Sequence, residues 1–327
     1  MILKKRDLRL LYELDSDYRK PHSKIGARLR MSQQLISYKV RMFTENGIIQ
    51  GYYPLIDYSR FGYLSFLVFF KLNYLAGESL DNLVSRMTAH ENITSIYECE
   101  GKYDLAVVFA ARNPSSFNKM LRKLISEHPR QLRNCVILSM VVEHHFPRSY
   151  LVGSTSRGDI VIGGDREDMA FDESAMKMVE ALVMGKRKIT DIAEHSGLSV
   201  KTAMVRLKSM QRQEVVNGYR LLLSPREMGM RSNLVLIRYR NVSADREDEF
   251  RDFCVGNPNV VDFRKTFGEW DVVINVETKG GLEFRGFYLR IREQFEDLIE
   301  DTEKIEVFAV RKMQYLPQEA LGRATVS

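Results

Sequence analysis

The chain has 327 residues, which is too long for one ordinary core and predicts two or more domains. A hydrophobic fraction of 44% and a charged fraction of 28% are those of an ordinary soluble globular protein. The three cysteines, Cys99, Cys135 and Cys254, lack metal-binding spacing, and so sparse and odd a set argues for a reducing cytosol and against a disulfide framework.

No segment predicts membrane insertion. Residues 1–7 lack a signal-peptide core, and the apolar stretch Phe61–Leu72 is interrupted by Lys71 and too short to span a bilayer. We therefore expect a cytoplasmic protein with no membrane partner. The net charge is +6, and residues 1–53 carry 11 Lys and Arg against 5 Asp and Glu. This basic N-terminal part fits a polyanionic partner, although a solvated surface explains the charge as well.

The sequence repeats itself at a constant offset. The run Gly47-Ile48-Ile49-Gln50-Gly51-Tyr52 returns 167 residues later as Glu214-Val215-Val216-Asn217-Gly218-Tyr219, and Gly101-Lys102-Tyr103-Asp104 returns at the same distance as Gly268-Glu269-Trp270-Asp271. Chemical type is kept with few identities, which indicates an old tandem duplication. A duplicated unit can form a two-fold arrangement within one chain, the arrangement with which proteins read two DNA half-sites.

Each copy begins with three short helical patterns and a strand. In the first copy Leu8, Leu11 and Leu14 recur at helical spacing, and Ser32 is a good N-cap for a third helix. The predicted helices that follow the first one in each copy are Lys24–Arg30, Gln33–Glu45, Ile189–His195 and Val200–Gln213. The strand Ile48–Tyr53 is predicted to lead into a wing. We predict winged helix-turn-helix domains over residues 1–53 and 171–220.

A β-α-β-β-α-β pattern follows each helical trio and predicts a ferredoxin-like domain, so the fold class is α+β in tandem. The first copy is predicted as Leu64–Tyr74, Leu80–Met87, Ile93–Glu100, Asp104–Ala111, Pro114–Glu127 and Cys135–Phe146. The second is predicted as Asn233–Arg240, Asp245–Cys254, Val260–Phe267, Asp271–Glu277, Leu282–Glu296 and Lys304–Lys312. The domains span 60–150 and 228–316, and residues 151–170 are predicted to be a weakly structured linker.

These motifs resemble the Lrp/AsnC (feast/famine) transcription regulators, arranged as two fused copies like forms most familiar from archaea. The resemblance is carried by Ile25, Leu29, Leu35–Val40, Asn46–Tyr52, Arg60–Tyr63 and the turn Gly101–Asp104. It implies a winged helix that binds double-stranded DNA. It also implies a ferredoxin-like RAM domain that mediates dimers or larger homo-oligomers and senses amino acids or other small effectors. In a fused chain, two RAM domains would give an intramolecular pseudo-dimer.

The third helix of the first copy is the predicted recognition helix. With Ile36, Val40 and Phe43 inward, five side chains point outward: Gln33, Gln34, Ser37, Tyr38 and Arg41. Glutamine can pair with adenine and arginine with guanine in the major groove. Lys39, Arg28 and Arg30 are predicted to contact phosphates. A solvated helix face remains the alternative.

The corresponding helix of the second copy is predicted to contact DNA through Lys201, Thr202, Arg206 and Lys208. Its outward face also carries Val200, Met204 and Val205, which could read thymine methyl groups or pack against protein. We therefore expect the first copy to bind DNA more strongly.

The two Gly-x-aromatic-Asp turns are candidate effector sites in view of the resemblance. Gly101 and Gly268 permit a positive φ, and Asp104 or Asp271 could accept a hydrogen bond from an effector ammonium group. The alternative is structural, because an aspartate often stabilises its own tight turn.

Fused Lrp-like pairs also resemble siroheme decarboxylases, in which the region of the second and third strands bears His and Arg residues that handle a tetrapyrrole. Here that stretch is Ile96–Glu100, without histidine, and Glu98 and Glu100 would repel an acidic tetrapyrrole. We expect no enzyme activity, no cofactor and no metal, since no catalytic, nucleotide or metal motif is present. A ligand-sensing scaffold that has lost DNA binding is a further alternative.

Overall fold

The computed structural model of the protein describes residues 2–73, 79–154, 158–240 and 243–322. Within these ranges no helix has the length and apolar character needed to cross a membrane.

Helices and strands follow one another in the same order in the two halves, except that the second half has one more strand at its start and one more helix at its end. The first half contains α1 (Lys5–Ser16), α2 (His22–Leu29), α3 (Gln33–Glu45), β1 (Ile49–Ile56), β2 (Leu64–Leu72), α4 (Leu80–Ala89), β3 (Ile93–Glu100), β4 (Leu105–Ala111), α5 (Pro114–Glu127) and β5 (Leu132–His145). The second half contains β6 (Ile160–Gly163), α6 (Glu173–Val183), α7 (Ile189–His195), α8 (Val200–Arg212), β7 (Val216–Leu223), β8 (Arg231–Tyr239), α9 (Ala244–Gly256), β9 (Val260–Gly268), β10 (Val272–Thr278), α10 (Gly281–Gln294), β11 (Ile299–Met313) and α11 (Gln318–Gly322).

Two of the best-predicted elements, α3 and α5, have clear capping residues. The predicted bounds of α3, β3, α5 and α7 are confirmed to the residue. The Ser32 hydroxyl accepts a hydrogen bond from the Leu35 backbone N–H at 3.1 Å, and Asn113 caps α5 in front of Pro114. Most other ends shift by one to three residues, and β11 begins five residues earlier than predicted. Tyr74, the predicted end of β2, lies outside the described residues.

Two ferredoxin-like sheets close into one barrel. The strand orders are β5-β2-β4-β3 and β11-β8-β10-β9, and pairing of β3 with β11 and of β5 with β9 joins the sheets into a ring of eight strands. The ring interior is filled by side chains such as Leu67, Phe69, Leu236 and Trp270. Helices α4 and α5 cover the outside of the first sheet, and α9 and α10 cover the second.

The strand registers follow the 167-residue offset of the sequence repeat. In the two-stranded ribbon formed by β1 and β7, Tyr53 pairs with Arg220, its own counterpart. Across the two sheet junctions, Tyr97 pairs with Val310 and Glu143 pairs with Arg264. In the repeat, Arg264 is the counterpart of Tyr97 and Val310 is the counterpart of Glu143. The two halves are therefore related by an approximate two-fold axis, which passes through the ribbon and along the barrel.

Two predictions about connections are wrong. The strand β1 does not enter a wing hairpin, because its partner is β7 of the other half. The predicted linker contains the strand β6, which adds to β5 through residues 160–163, while residues 155–157 lie outside the described part. The Asn217 side chain donates a 2.9 Å hydrogen bond to the Val161 carbonyl, which fixes β6 beside the ribbon. Local sequence does not show a partner so far away in the chain.

Candidate DNA-binding surface and interdomain cavity

The predicted reading face of α3 is open to solvent. Ile36, Val40 and Phe43 are buried, which confirms the predicted inward stripe. The predicted base-contacting residues are exposed: Gln33, Gln34, Ser37, Tyr38 and Arg41. The Arg41 guanidinium lies 5.7 Å from the centre of the Tyr38 ring, and the Ser37 hydroxyl is 2.9 Å from His22 Nδ1. This face offers amide, hydroxyl and guanidinium groups together.

The predicted phosphate contacts around α3 are less free. The Lys39 ammonium forms an ion pair with the buried carboxylate of Asp7, and Arg28 pairs with Glu13 at 3.1 Å. Arg30 is exposed at the C-terminus of α2, where its backbone is left-handed with φ of 53°. Lys39 and Arg28 would need to exchange or share these carboxylate partners in order to contact a phosphate.

The face of α8 differs from that of α3. Lys201, Thr202 and Lys208 are exposed, but Arg206 is half-buried and its Nη1 lies 2.7 Å from Asp172 Oδ2. Hydrogen bonds from Arg206, the Ala175 N–H and Ser174 lower the pKa of the Asp172 carboxyl to about 2. Three apolar side chains are 42–58% exposed on the same helix: Val200, Met204 and Val205. The structure thus leaves α8 with a weaker polar reading face than α3.

An aromatic and cationic contact joins the two helical units. The Arg187 guanidinium, before α7, lies 5.1 Å from the centre of the Tyr52 ring and donates a hydrogen bond to the Tyr18 carbonyl. Arg19 donates to the Arg187 carbonyl at 3.0 Å and to the Tyr219 hydroxyl at 2.9 Å. We call Tyr18, Arg19, Tyr52, Arg187 and Tyr219 the clasp. It holds the two helical units together directly above the ribbon. Sequence reasoning missed it, although the repeated Gly-Tyr at 51–52 and 218–219 was a visible signal.

The aspartates of the two Gly-x-aromatic-Asp turns accept hydrogen bonds from strands of their own sheets. Asp104 Oδ2 accepts a 2.8 Å hydrogen bond from the Leu72 N–H, and Asp271 Oδ2 accepts a 2.7 Å hydrogen bond from the Tyr239 N–H. The glycines have φ of 132° at Gly101 and 150° at Gly268. Both carboxylates therefore already serve the backbone of a neighbouring strand. An effector ammonium group would have to share or displace these bonds.

The two turns also meet each other. The Lys102 ammonium lies 3.9 Å from Glu269 Oε1, and these residues are counterparts in the repeat. The aromatic residues that follow, Tyr103 and Trp270, are buried and pack inside the barrel. The turns mark the end of the two-fold axis that is distant from the ribbon.

A cavity of about 470 Å³ lies at the other end of the barrel, beneath the ribbon. Its deepest cation is Arg264, whose side chain is 4% exposed. Arg264 Nε lies 3.2 Å from Asp262 Oδ1 and 3.7 Å from Glu143 Oε2, and its Nη2 donates to the Tyr97 hydroxyl at 3.2 Å. Its Nη1 has no hydrogen-bond partner within the described residues.

Burial shifts the pKa values of the carboxyl and imidazole groups near Arg264. Burial raises the pKa of the Glu143 carboxyl to about 7, against the opposing effect of Arg264. Burial, together with Arg264, lowers the pKa of His145, which lies 3.8 Å from Glu143 and 3.1 Å from the Tyr315 hydroxyl. The neighbouring His144 faces away and pairs with Asp159, because adjacent residues of a strand point to opposite faces.

A buried ionic network connects the cavity wall to the first helical unit. Arg148 Nη1 donates to Asp15 Oδ1 at 2.9 Å, and Arg148 Nε donates to Glu277 Oε2 at 3.0 Å. Asp15 also accepts a hydrogen bond from the Leu221 N–H of the ribbon at 3.2 Å. Because Asp15 belongs to α1 and Glu277 to β10, the network links the helices to the barrel.

Sequence reasoning recognised only part of this cavity. It considered Glu98 and Glu100 of β3, but it did not single out Asp262 and Arg264 on the matching strand of the second copy. The argument that two glutamates on β3 would repel an acidic ligand is wrong for Glu98. That side chain is buried and accepts a 2.8 Å hydrogen bond from Arg311, so that its charge is compensated. Only Glu100 lines the cavity.

Comparison with known proteins shows what the first half of the barrel is similar to. Residues 65–145 match the family model of the Lrp/AsnC ligand binding domain. An uncharacterized HTH-type transcriptional regulator of Pyrococcus furiosus is 24% identical over 136 residues, which cover 41% of this chain and 88% of that protein. The HTH-type transcriptional regulator Ptr1 of Methanocaldococcus jannaschii is 25% identical over 124 residues, covering 38% and 82%.

The full chain has a structural counterpart as well. The siroheme decarboxylase NirDL superposes with a TM-score of 0.61 and 13% identity, covering 98% of both chains. At this identity the likeness is one of fold alone. The resemblance to the Lrp/AsnC regulators is confirmed, and the relatives that share its sequence are named transcription regulators.

The clasp yields a prediction about stability. Replacing Arg187 with alanine (Arg187→Ala) removes a cation from the faces of two tyrosine rings and should lower the free energy of unfolding by about 1–3 kcal/mol. Chemical denaturation measures the change. The control Lys188→Ala removes the same charge from an exposed neighbour and should cost less than about 0.5 kcal/mol. Similar losses in the two variants would show that the clasp contributes nothing specific.

Glu143 yields a prediction about pH. Its folded pKa of about 7 exceeds the ordinary value of 4.5, so folding favours the protonated form. Stability from this group is present below about pH 4.5 and is lost as pH rises towards 7, by up to roughly 3 kcal/mol. Unfolding free energies measured across this range should fall less in Glu143→Gln than in the wild type. The rim variant Glu100→Gln should keep the wild-type profile; a flat wild-type profile would refute the assignment.

Proposed function

We propose that the protein is a sequence-specific DNA-binding transcription regulator of the Lrp/AsnC type in which one chain supplies both reading heads. The observation that carries this proposal is the exposed polar face of α3, beside a domain of the Lrp/AsnC type. Gln33, Gln34 and Arg41 have the side chains that read adenine and guanine edges, and Ser37 and Tyr38 add hydroxyl groups.

The proposal includes a tandem duplication of helix-turn-helix and RAM domains over residues 1–53, 60–150, 171–220 and 228–316. Support comes from the strand registers, which keep the 167-residue offset in the ribbon and at both sheet junctions. Such an arrangement gives a single chain the two-fold geometry that a homodimer needs two chains to form. Assembly into larger homo-oligomers through the RAM domains is compatible with this arrangement.

The two heads are proposed to bind unequally. The Arg41 guanidinium lies 3.8 Å from the Glu45 carboxylate, and both side chains are exposed. Such an exposed ion pair is weak, so Arg41 can reorient towards a base at little cost. Arg206 would have to leave Asp172 and Ser174, while Val200, Met204 and Val205 offer contacts only to apolar groups. The helix α8 would then be positioned on the DNA phosphate backbone by Lys201, Thr202 and Lys208.

Amino-acid sensing at Gly101, Asp104, Gly268 and Asp271 is retained as a hypothesis that rests on the family resemblance. The contacts of both carboxylates with backbone N–H groups argue for a structural role of the turns. The alternative function is that of a tetrapyrrole-binding enzyme similar to the siroheme decarboxylases. It is distinguished by titration with an iron porphyrin, which would have to bind with a change in its absorption spectrum.

Paired substitutions test the inequality of the heads. Arg41→Ala should weaken binding to a selected DNA duplex by roughly 5- to 150-fold, the effect expected of one lost guanine contact. Arg206→Ala is the matched control on the second copy and should weaken it much less. Fluorescence anisotropy at fixed salt concentration measures both, because phosphate contacts make affinity salt-dependent. Equal losses would contradict the proposed division between the heads.

A further inference from the structure

The cavity beneath the ribbon contains charged groups that the barrel itself does not require. At the counterpart positions across the two-fold axis, Arg264, Asp262 and Glu143 are replaced by Tyr97, Ser95 and Val310. The barrel therefore tolerates neutral residues at the symmetry-related positions. Burying three ionisable groups is costly unless each is well paired, and an apolar or neutral set is often more stable. Packing alone does not account for the cluster.

Arg264 keeps binding capacity that the protein does not use. It is buried, it lies in the cavity wall, and its Nη1 has no hydrogen-bond partner within the described residues. A buried donor left unpaired carries a substantial free-energy cost. A ligand that supplies an acceptor would relieve this cost. The Tyr97 hydroxyl, which accepts from Nη2, holds the guanidinium in its position on the axis.

The charged side chains at the cavity mouth favour binding of an anion. Arg226 and Lys279 line the mouth and form no ion pair among the residues described. The Arg226 guanidinium lies 4.3 Å from the centre of the exposed Phe308 ring. By contrast, the acidic side chains of the wall are matched: Glu277 by Arg148, Glu306 by Arg231, and Asp262 by Arg264. Among the described residues that line the cavity, Glu100 is the only acidic side chain without an ion pair, and it opposes these cations.

The remaining wall is apolar or aromatic and suits an organic body. Val307, Val310 and Met313 from β11 face Leu222 of the ribbon, with Tyr53 and Tyr315 beside them. A volume of about 470 Å³ lies in the range of small-molecule pockets, which are mostly apolar with a few fixed polar groups.

We propose that this cavity is a binding site for a small organic carboxylate with an apolar or aromatic body, whose carboxylate is held by Arg264 and drawn in past Arg226 and Lys279. Most of its lining comes from the second half of the chain. It is distinct from the Gly-x-aromatic-Asp turns, whose residues do not line the cavity.

Occupancy of the site would be transmitted to the helices through Arg148, which lines the cavity and binds Asp15 of α1. This consequence rests on the proposed DNA-binding function, whereas ligand binding itself does not. The test therefore measures binding in the absence of DNA, so that failure of either idea is recognised separately.

The experiment uses the full chain and a set of probes with a common body: phenylacetate as the anion, phenylacetamide as the neutral molecule and phenethylamine as the cation, with indole and butyrate series to vary the body. Calorimetry and melting temperature report binding. We expect carboxylates to bind and to raise the melting temperature, and the matching amides and amines to bind at least about tenfold more weakly.

Variants locate the binding site. Arg264→Lys should weaken carboxylate binding by about tenfold or more, since an ammonium group cannot reproduce the guanidinium geometry. The double variant Arg226→Ala, Lys279→Ala alters only exposed residues at the mouth and should also weaken it, even if Arg264 variants fold poorly. The control Arg285→Ala, an exposed cation on α10, should bind as the wild type does. No binding by any carboxylate, tighter binding of amines, or unchanged binding by the mouth variant would overturn the proposal.

Discussion

Pairing between the free edges of two ferredoxin-like sheets is the constraint on which the rest of this molecule depends. An open four-stranded sheet leaves backbone groups unpaired at its edges, and closure into a ring removes those edges. The β3–β11 and β5–β9 junctions achieve this within one chain. Because both junctions use counterpart residues, closure also defines a two-fold axis, and that axis passes through the ribbon and along the barrel.

Along this axis the two halves have kept their geometry but not their chemistry. The clasp and the ribbon hold the helical units together, while α3 and α8 present different faces. Inside the barrel, Arg264 lies opposite Tyr97, so a charge from one half meets a neutral hydroxyl from the other. Fusion allows this divergence, because in a homodimer every substitution occurs twice. A single chain can therefore hold one asymmetric cavity and two helices with unlike faces on a symmetric frame.

Prediction from the sequence succeeded where the determinants are local. Ser32 and Asn113 cap their helices, and apolar periodicity placed the inward stripe of α3 correctly. It failed where the partner is remote: β1 was expected to form a wing but pairs with β7, and β6 was hidden in a predicted linker. The cavity was largely missed for the same reason, since Arg264, Arg148 and Asp15 meet only after the barrel closes and nothing in their local sequence marks them as neighbours.

The central claim is that one chain reads DNA with two unlike heads. The most direct measurement is selection of bound fragments from randomly sheared genomic duplex, with sequencing of the retained pool at increasing salt concentration. We expect enrichment of a motif with two unlike halves, lost steeply as salt rises because phosphate contacts contribute to affinity. Absence of any enrichment at low salt concentration would contradict the account and would direct attention to the cavity as the main functional site.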